Sequence, residues 1–325
     1  MNEALINHIP TSAEIWTPPP VELPSTIFLG TSTWAFPGWR GVVYRNHYAS
    51  QKAFTQESLA EYATIPWFRT VCIDNLFYTP PRQETLTRYA SQTPNDFRWV
   101  SKVWERITIH HYPKHPRYGA YAGTLNPDFL NYALFRDSVL APYEHEEIAT
   151  RTGPFILQFA PFSERDMEYD RFIDRLGKFL SLLPHHFEYA VEVRNGKILS
   201  RAYFDALNAS RVTHCFNQWN NMIPLREQMR LAASAGGLSA PFFTARLLTP
   251  TRVSYEAAEK LFEPYDRIQR VNPEMRSDVA ILAKRANTTG KRLYVTANNK
   301  AEGNSALTMV AIAKIVAGIE TQLPG

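Results

Sequence analysis

The feature that most constrains the fold of this chain is a regular alternation of short apolar, β-branched segments with helix-forming segments over 325 residues. Such segments, bounded by turn residues, are typical of buried strands. The predicted strands are residues 27–33, 70–75, 97–102, 155–159, 189–194, 211–217, 242–247 and 292–299. Alternating strands and helices form parallel sheets, and eight such units close into a barrel. The sequence therefore predicts a single α/β domain, a (β/α)8 TIM-type barrel.

The main alternative is an open, doubly wound sheet. A nucleotide-binding sheet of that kind carries Gly-x-Gly-x-x-Gly after its first strand, and residues 30–41 do not contain it. We therefore predict a barrel domain over residues 25–325. Residues 1–24 form an N-terminal extension, which we interpret as an arm or linker. Its prolines, at positions 18, 19, 20 and 24, favour extended backbone.

Asparagine followed by proline marks a predicted helix in the long segment after the third strand. Asn126 precedes Pro127, an order typical of an N-cap and the first helical residue. We expect this helix to reach about Leu140.

Composition narrows the class of partner. The chain has 35 basic and 31 acidic residues, dispersed along the sequence, so a nucleic-acid partner is not favoured. A small anionic ligand needs only a few local positive charges. No run of about 18 apolar residues occurs, which predicts no membrane span. Two cysteines in apolar segments, Cys72 and Cys215, and a start without a secretory signal favour a reducing cytoplasmic location.

Polar and charged residues occur where each predicted strand ends. They are Ser32, Asp74, Asn75, Lys102, Gln158, Glu192, Arg194, Asn217, Arg246, Asn298 and Asn299. The C-terminal ends of the strands carry the active site in TIM barrels. Strands also become polar simply on leaving a core, which accounts for Ser32 and Asn217. It accounts less well for three cations around one carboxylate, so we predict a ligand site at this rim.

Several motifs resemble one family in order. They are Gly30-Thr-Ser-Thr-Trp34, Pro37-Gly-Trp-Arg-Gly41, Phe77-Tyr78, residues 97–102, Gly153-Pro154 with Gln158 and Pro161, Glu192-x-Arg194, Arg246, and Asn298-Asn299 before Gly303. Together they are similar to domain-of-unknown-function family 72, the YecE-like proteins, over about residues 28–310. The resemblance implies a TIM-type barrel and supplies no activity.

One segment departs from the family pattern. Where the family usually has Glu-x-Asn-Ser-Thr-Phe-Tyr, this chain has Cys72-Ile-Asp74-Asn-Leu-Phe-Tyr78. A carboxylate has been moved or lost at the second strand, so a mechanism that needs that glutamate does not carry over directly.

Glu192 is the first candidate for a catalytic acid or base, with Asp74 assisting it. The alternative is that Glu192 is only the ion-pair partner of Arg194, which shares its strand face. Two carboxylates ~5–5.5 Å apart suit retaining glycoside hydrolysis, and ~6.5–9.5 Å suits inversion. Strands two and five are far apart in a barrel, which disfavours the shorter spacing.

The other candidates are ligand-binding residues. Lys102, Arg194 and Arg246 predict a phosphate or carboxylate site, unless they only neutralise Asp74 and Glu192. The polar side chains of Gln158, Asn298 and Asn299 would orient a ligand. The aromatic side chains of Trp34, Trp39 and Tyr78 would line its pocket.

No cofactor is predicted. His110, His111 and His115 cluster in the loop after the third strand without a carboxylate or cysteine at metal-site spacing, so a metal is disfavoured. The favoured hypothesis is an enzyme of hydrolase or isomerase type for a small anionic, carbohydrate-like or nucleotide-like ligand. The alternatives are a non-catalytic binding barrel and, more weakly, a nucleic-acid-processing protein. The sequence leaves the oligomeric state open.

Overall fold

The computed structural model describes residues 2–320, with side chains through residue 318. Eight parallel strands follow one another in chain order and close when the first pairs with the eighth. The strands are β1 (Ile27–Thr31), β2 (Thr70–Ile73), β3 (Arg98–Lys102), β4 (Thr152–Gln158), β5 (Tyr189–Glu192), β6 (Thr213–Gln218), β7 (Phe242–Leu247) and β8 (Arg292–Ala297). The predicted (β/α)8 fold is confirmed. The alternative, a doubly wound sheet, has two open edges, whereas here β1 pairs with β8.

Helices cover the outside of the barrel. The α-helices are α1 (Glu3–Ile6), α2 (Ser12–Ile15), α3 (Gln51–Tyr62), α4 (Gln83–Ala90), α5 (Glu105–Thr108), α6 (Tyr132–Phe135), α7 (Glu146–Ala149), α8 (Tyr169–Leu180), α9 (Arg201–Ala209), α10 (Leu225–Ser234), α11 (Tyr255–Phe262), α12 (Pro273–Thr288) and α13 (Ser305–Glu320). Within residues 2–320, none of them is long and apolar enough to cross a membrane.

The connection from β3 to β4 differs from the prediction. The helix expected to start at Asn126 does not form, and this prediction was wrong. The Asn126 side chain instead donates to the carbonyls of Arg106 and Ile109, both at 2.7 Å, and accepts from the Asp128 amide. Its polar atoms are thus used to fold the loop back on itself. The helical segment begins after Asn131, whose side chain caps α6.

The alternation of side chains along β5 separates two cores. Tyr189, Val191 and Val193 belong to the large core between the barrel and its helices. Ala190 belongs to a second core inside the barrel. The other members of that inner core are Phe28, Cys72, Val100, Ile156, Cys215, Ala240, Phe242 and Tyr294. Because side chains alternate, the residue two positions after a member faces inward as well, nearer the C-terminal end.

Strands β1 and β2 approach each other closely in the barrel wall. Gly30 is the register partner of Thr70, and a Cβ on Gly30 would lie 1.8 Å from the Thr70 carbonyl oxygen. No side chain fits there, so glycine is required for the two strands to pair.

The N-terminal extension is docked on the barrel. Residues around the prolines are non-helical as expected, but α1 and α2 precede them. Arg276 of α12 donates to the carbonyls of Ile6 (2.9 Å) and His8 (2.6 Å). The same guanidinium forms a fully buried ion pair with Glu302, which follows β8. The described part of the extension, residues 2–24, is therefore packed against the barrel, and the domain boundary at residue 24 stays a prediction.

Candidate functional site

Most of the polar residues predicted for the site point into the barrel near the C-terminal ends of the strands. Four of its residues lie two or four positions after an inner-core residue of the same strand. They are Asp74, Lys102, Gln158 and Arg246. Glu192 follows Ala190 in the same way, and Arg194 follows Glu192. We call these six residues the mouth cluster. Period-two alternation brings them together at one end of the barrel.

Glu192 is held between two arginines. It is 0% exposed, its Oε1 accepts from Arg194 Nε at 2.8 Å, and its Oε2 accepts from Arg246 Nη1 at 2.6 Å. Burial alone would raise the pKa of Glu192, but the charges of Arg246 and Arg194 outweigh it and lower that pKa to about 2. Glu192 is a permanent anion with both oxygens occupied. Of the two interpretations open in the sequence, this geometry favours the ion pair.

Arg246 bridges strands that are distant in the sheet. Its Nη1 contacts Glu192 of β5, and its Nη2 lies 2.8 Å from Oδ1 of Asp74, directly after β2. Burial would lower the pKa of Arg246, but Asp74 and Glu192 outweigh it and raise that pKa. Asp74 thus reaches the same guanidinium as Glu192 from across the barrel. Asp74 lies two residues after inward-facing Cys72 and joins the cluster from there.

Gln158 and Trp219 complete the environment of Arg194. The Gln158 Oε1 accepts from Arg194 Nη2 at 2.8 Å and from Arg246 Nη1 at 3.2 Å. The Trp219 ring lies over the Arg194 guanidinium at 4.0 Å, a cation–π contact. Among the described residues, the Arg194 Nη1 has no hydrogen-bond partner.

Lys102 differs from both arginines. It is only 7% exposed, and its ammonium lies 3.8 Å from the centre of the Phe77 ring. No hydrogen bond or ion pair reaches its Nζ from any residue between 2 and 320. Burial lowers the pKa of Lys102 to about 8, which Asp74 and Glu192 offset only in part. Lys102 is the cation of the mouth cluster that the protein itself does not neutralise by contact.

A family model described as "Protein of unknown function DUF72" matches residues 28–324, nearly the whole barrel. The chain belongs to the DUF72 family. The resemblance drawn from the sequence motifs is thereby confirmed.

Relatives support the same assignment. The UPF0759 protein YecE of Escherichia coli strain K12 is 28% identical over 178 residues, which is 54% of this chain and 51% of that protein. The alignment thus spans about half the length of this relative. A DUF72 family protein from Thermotoga maritima has a TM-score of 0.58 at 21% identity, covering 89% of this chain and 98% of that one. One from Enterococcus faecalis has 0.56 at 15%, covering 91% and 98%. At these identities the structures show the shared fold.

The asparagines of the DUF72 motif after β8 cap local backbone. Asn298 accepts from the Lys300 amide at 3.0 Å, and Asn299 accepts from the amide and hydroxyl of Ser305 at 3.0 and 2.9 Å. These bonds shape the turn into α13. The predicted ligand-orienting role of the two asparagines therefore has a structural alternative that uses their carbonyl oxygens.

The three predicted aromatic residues are placed differently from one another. Trp39 is wholly buried and Trp34 nearly so, and both belong to the large core outside the barrel. Trp34 packs edge-on against Tyr89 at 4.9 Å. The prediction that these two indoles line a pocket is corrected, because their loop folds outward against the helices. Tyr78 is exposed beyond the mouth, under the guanidinium of Arg117 at 5.0 Å.

Sequence reasoning missed Thr296, which belongs to a row of unpaired polar atoms beside the cluster. Register pairs Asn217 with Arg246, and Arg246 with Thr296, on neighbouring strands. Within the described part of the chain, the Asn217 Oδ1, Arg246 Nε and Thr296 Oγ1 are buried without hydrogen-bond partners, as is the Ser32 Oγ. The signal for Thr296 was its place two residues after inward Tyr294. Buried polar atoms usually find partners, so this row marks an unusual interior.

The histidines of the β3–β4 connection do not assemble a metal centre. His110, His111 and Asp166 line a cavity of about 160 Å³ with Phe129, whereas the His115 side chain accepts from the Arg117 amide. Over residues 2–320, no three His, Cys, Asp or Glu side chains converge as metal ligands would.

Proposed function

We propose that this DUF72 barrel binds a small anionic ligand at its C-terminal mouth, with Lys102 as the main ligand-facing cation. One observation carries the proposal: Lys102 is nearly buried, yet no carboxylate or carbonyl within residues 2–320 contacts its ammonium. A buried charge without a partner is costly, and an anion entering the mouth would remove that cost.

The charge balance of the mouth cluster supports an anion. Its three cations face only two carboxylates, which leaves one positive charge when Lys102 is protonated. The Arg194 Nη1, which has no hydrogen-bond partner among the described residues, offers a second donor in the same cluster. The Asp74 side chain, 30% exposed, leads from this cluster to solvent. A carboxylate or phosphate that enters the mouth would be offered hydrogen bonds by these nitrogens.

Within the proposed enzyme classes, isomerisation by proton transfer fits better than glycoside hydrolysis. Hydrolysis of a glycoside needs one carboxylic acid that stays protonated, and the low pKa of Glu192 opposes that role. An amine with a pKa near 8 can pass protons at neutral pH, and the partly exposed Asp74 carboxylate belongs to the same cluster. Glu192 would then position Arg194 and Arg246, and carbohydrate-like or nucleotide-like anions remain the proposed ligands.

A non-catalytic binding barrel is the second candidate, favoured by the complete pairing of Glu192. The two differ at Asp74, because a binding site needs no chemistry from this carboxylate, whereas the proposed catalysis does. If a substrate is found, Asp74→Asn should abolish turnover in an enzyme. In a binding module the same variant should only alter affinity.

The anion site is tested by thermal shift with inorganic phosphate, glucose 6-phosphate, citrate and AMP, each against equal chloride. We expect at least one to raise the Tm of the wild-type chain in a dose-dependent way. The rise should be lost in Lys102→Met and kept in Lys178→Met, which removes the same charge from an exposed position of α8. Equal responses of both variants, or none in the wild type, would contradict the proposal.

A cytoplasmic location is part of this proposal. Cys72 and Cys215 are both buried free thiols, and burial raises the pKa of each well above its ordinary value. Inert, unpaired thiols suit a reducing compartment.

A further inference from the structure

We infer that the amine of Lys102 forms an imine with its ligand, which would then be a small anion that carries an aldehyde or ketone. This inference rests on the proposed function, since it concerns the same mouth, and it names the chemistry that Lys102 performs there. It requires a nucleophilic nitrogen held in a fixed position.

The position of the nitrogen is fixed by packing. Lys102 ends β3, its side chain is almost wholly enclosed, and its Nζ lies over the face of Phe77. Without a hydrogen bond or ion pair to the described residues, the Nζ has no protein partner that attack on a carbonyl would have to displace. The amine is therefore held in place by its stem and the ring alone.

Its surroundings increase the fraction of neutral amine. Burial and the charges of Arg246 and Arg194 oppose protonation, while Asp74 and Glu192 support it. With a pKa near 8, roughly one molecule in ten carries neutral Lys102 at pH 7. A solvated lysine is neutral in fewer than about one in a thousand. Lysines activated by burial near other cations are the ones that form Schiff bases.

The reaction balances without a further reagent. The Nζ lone pair attacks the carbonyl carbon, and the carbonyl π electrons move to oxygen, which takes a proton to give a carbinolamine. Loss of the former carbonyl oxygen as water then forms the C=N bond. Solvent water carries a proton from Nζ to that departing hydroxyl. The protonated imine keeps the single positive charge of the ammonium, so the charge of the mouth cluster is unchanged.

Lys300 provides an internal comparison. It too is nearly buried beside the mouth, but its Nζ lies 4.3 and 5.2 Å from the rings of Tyr255 and Tyr265 and 3.6 Å from Glu259. Burial would lower the pKa of Lys300, but the two tyrosines outweigh it and raise that pKa. A similar depth with an opposite environment should leave Lys300 unreactive.

The experiment is reductive trapping. The full chain is incubated at pH 7.5 with limiting glyoxylate and sodium cyanoborohydride, and the modified lysines are identified by peptide mass spectrometry. We expect Lys102 to be carboxymethylated at least ten times faster than Lys300 or the exposed Lys178. Lys102→Arg should remove only this fast reaction, with circular dichroism verifying the fold. Lys300→Arg should leave it unchanged.

The outcomes separate the two proposals. Slow, unselective labelling of Lys102 in a chain that an anion of the thermal-shift panel stabilises through Lys102 would overturn the imine and leave the anion site standing. Selective labelling that no anion of the panel slows would support the imine and contradict the anion site. Protection of Lys102 by a stabilising anion supports both.

Discussion

Arg246 and Glu192, separated by 54 positions in the chain, form a 2.6 Å ion pair inside the barrel in which neither side chain is more than 1% exposed. The pair joins β7 to β5 directly, and through Arg246 it also joins β2. Burying such charges is costly, so their arrangement is strongly constrained. Its energetic role can be measured separately from any activity.

Replacing Glu192 with Gln should destabilise the chain by about 3 kcal/mol, because Arg194 and Arg246 would each lose a charged partner in the interior. Urea unfolding followed by circular dichroism measures the change. Glu227→Gln is the matched control, since it breaks an exposed pair with Arg230 and should change little. Equal midpoints for both variants would contradict the clamped arrangement of Glu192.

Lys102 should make stability depend on pH in the alkaline range. Its pKa is about 8 in the folded chain and near 10.5 when unfolded, so below pH 8 folding carries the full cost of burying the charge, about 3 kcal/mol. Between pH 8 and 10.5 the unfolded chain holds the extra proton, and stability rises with pH. Lys102→Met lacks this group. Its free energy of unfolding should exceed that of the wild type most at pH 7, and the difference should narrow by pH 10.

His214 should weaken the fold as the solution becomes mildly acidic. Its Nε2 donates to Gln228 Oε1 at 3.1 Å and its Nδ1 accepts from the Tyr203 hydroxyl at 3.0 Å. Burial lowers the pKa of His214 to about 4, against 6.5 when unfolded. The unfolded chain therefore binds more protons between these values, and stability falls from pH 6.5 to 4. Part of that slope should disappear in His214→Gln, whereas exposed His186→Gln should retain it.

Thr296→Val should stabilise the ligand-free chain by about 1 kcal/mol, because it replaces a buried hydroxyl that has no protein partner with a methyl of similar size. Thr308→Val is the opposite control: the Thr308 hydroxyl, equally buried, donates to the Asn304 carbonyl at 3.0 Å. That variant should lose stability by a similar amount. Thermal unfolding measures the stability of both variants. A loss of stability in Thr296→Val would mean that the Thr296 hydroxyl does have a hydrogen-bond partner.

The strand ends were predictable because a period of two and the eightfold alternation place every C-terminal polar residue at one rim. The pairing of these residues could not be predicted in the same way. Asp74, Glu192 and Arg246 meet across the barrel, and no local sequence pattern encodes that contact. Trp39 is a residue that was predicted at the site but lies away from it. Its loop follows a barrel strand, but nothing near it in sequence tells that the indole turns toward the helices.

Local sequence signals also gave wrong predictions where a side chain that could cap a helix bonds other parts of the chain instead. Asn126 with Pro127 has the composition of a helix start, but its amide serves the loop backbone. The four prolines of the extension were interpreted correctly as non-helical, whereas α1 and α2 are too short for periodicity to reveal. Both short helices exist because the barrel offers them a surface.

Arg276 connects the docked N-terminal extension to the segment that follows β8. One guanidinium binds the carbonyls of Ile6 and His8 and also Glu302, which lies three positions beyond the asparagine pair that follows β8. Deleting residues 2–8 would leave this buried cation with unfilled donors right behind the β8 turn. Changes at the start of the chain can thus be transmitted to the opening of the barrel through a single side chain. Activity lost on truncation or tagging there would report long-range coupling and not a contact with the ligand.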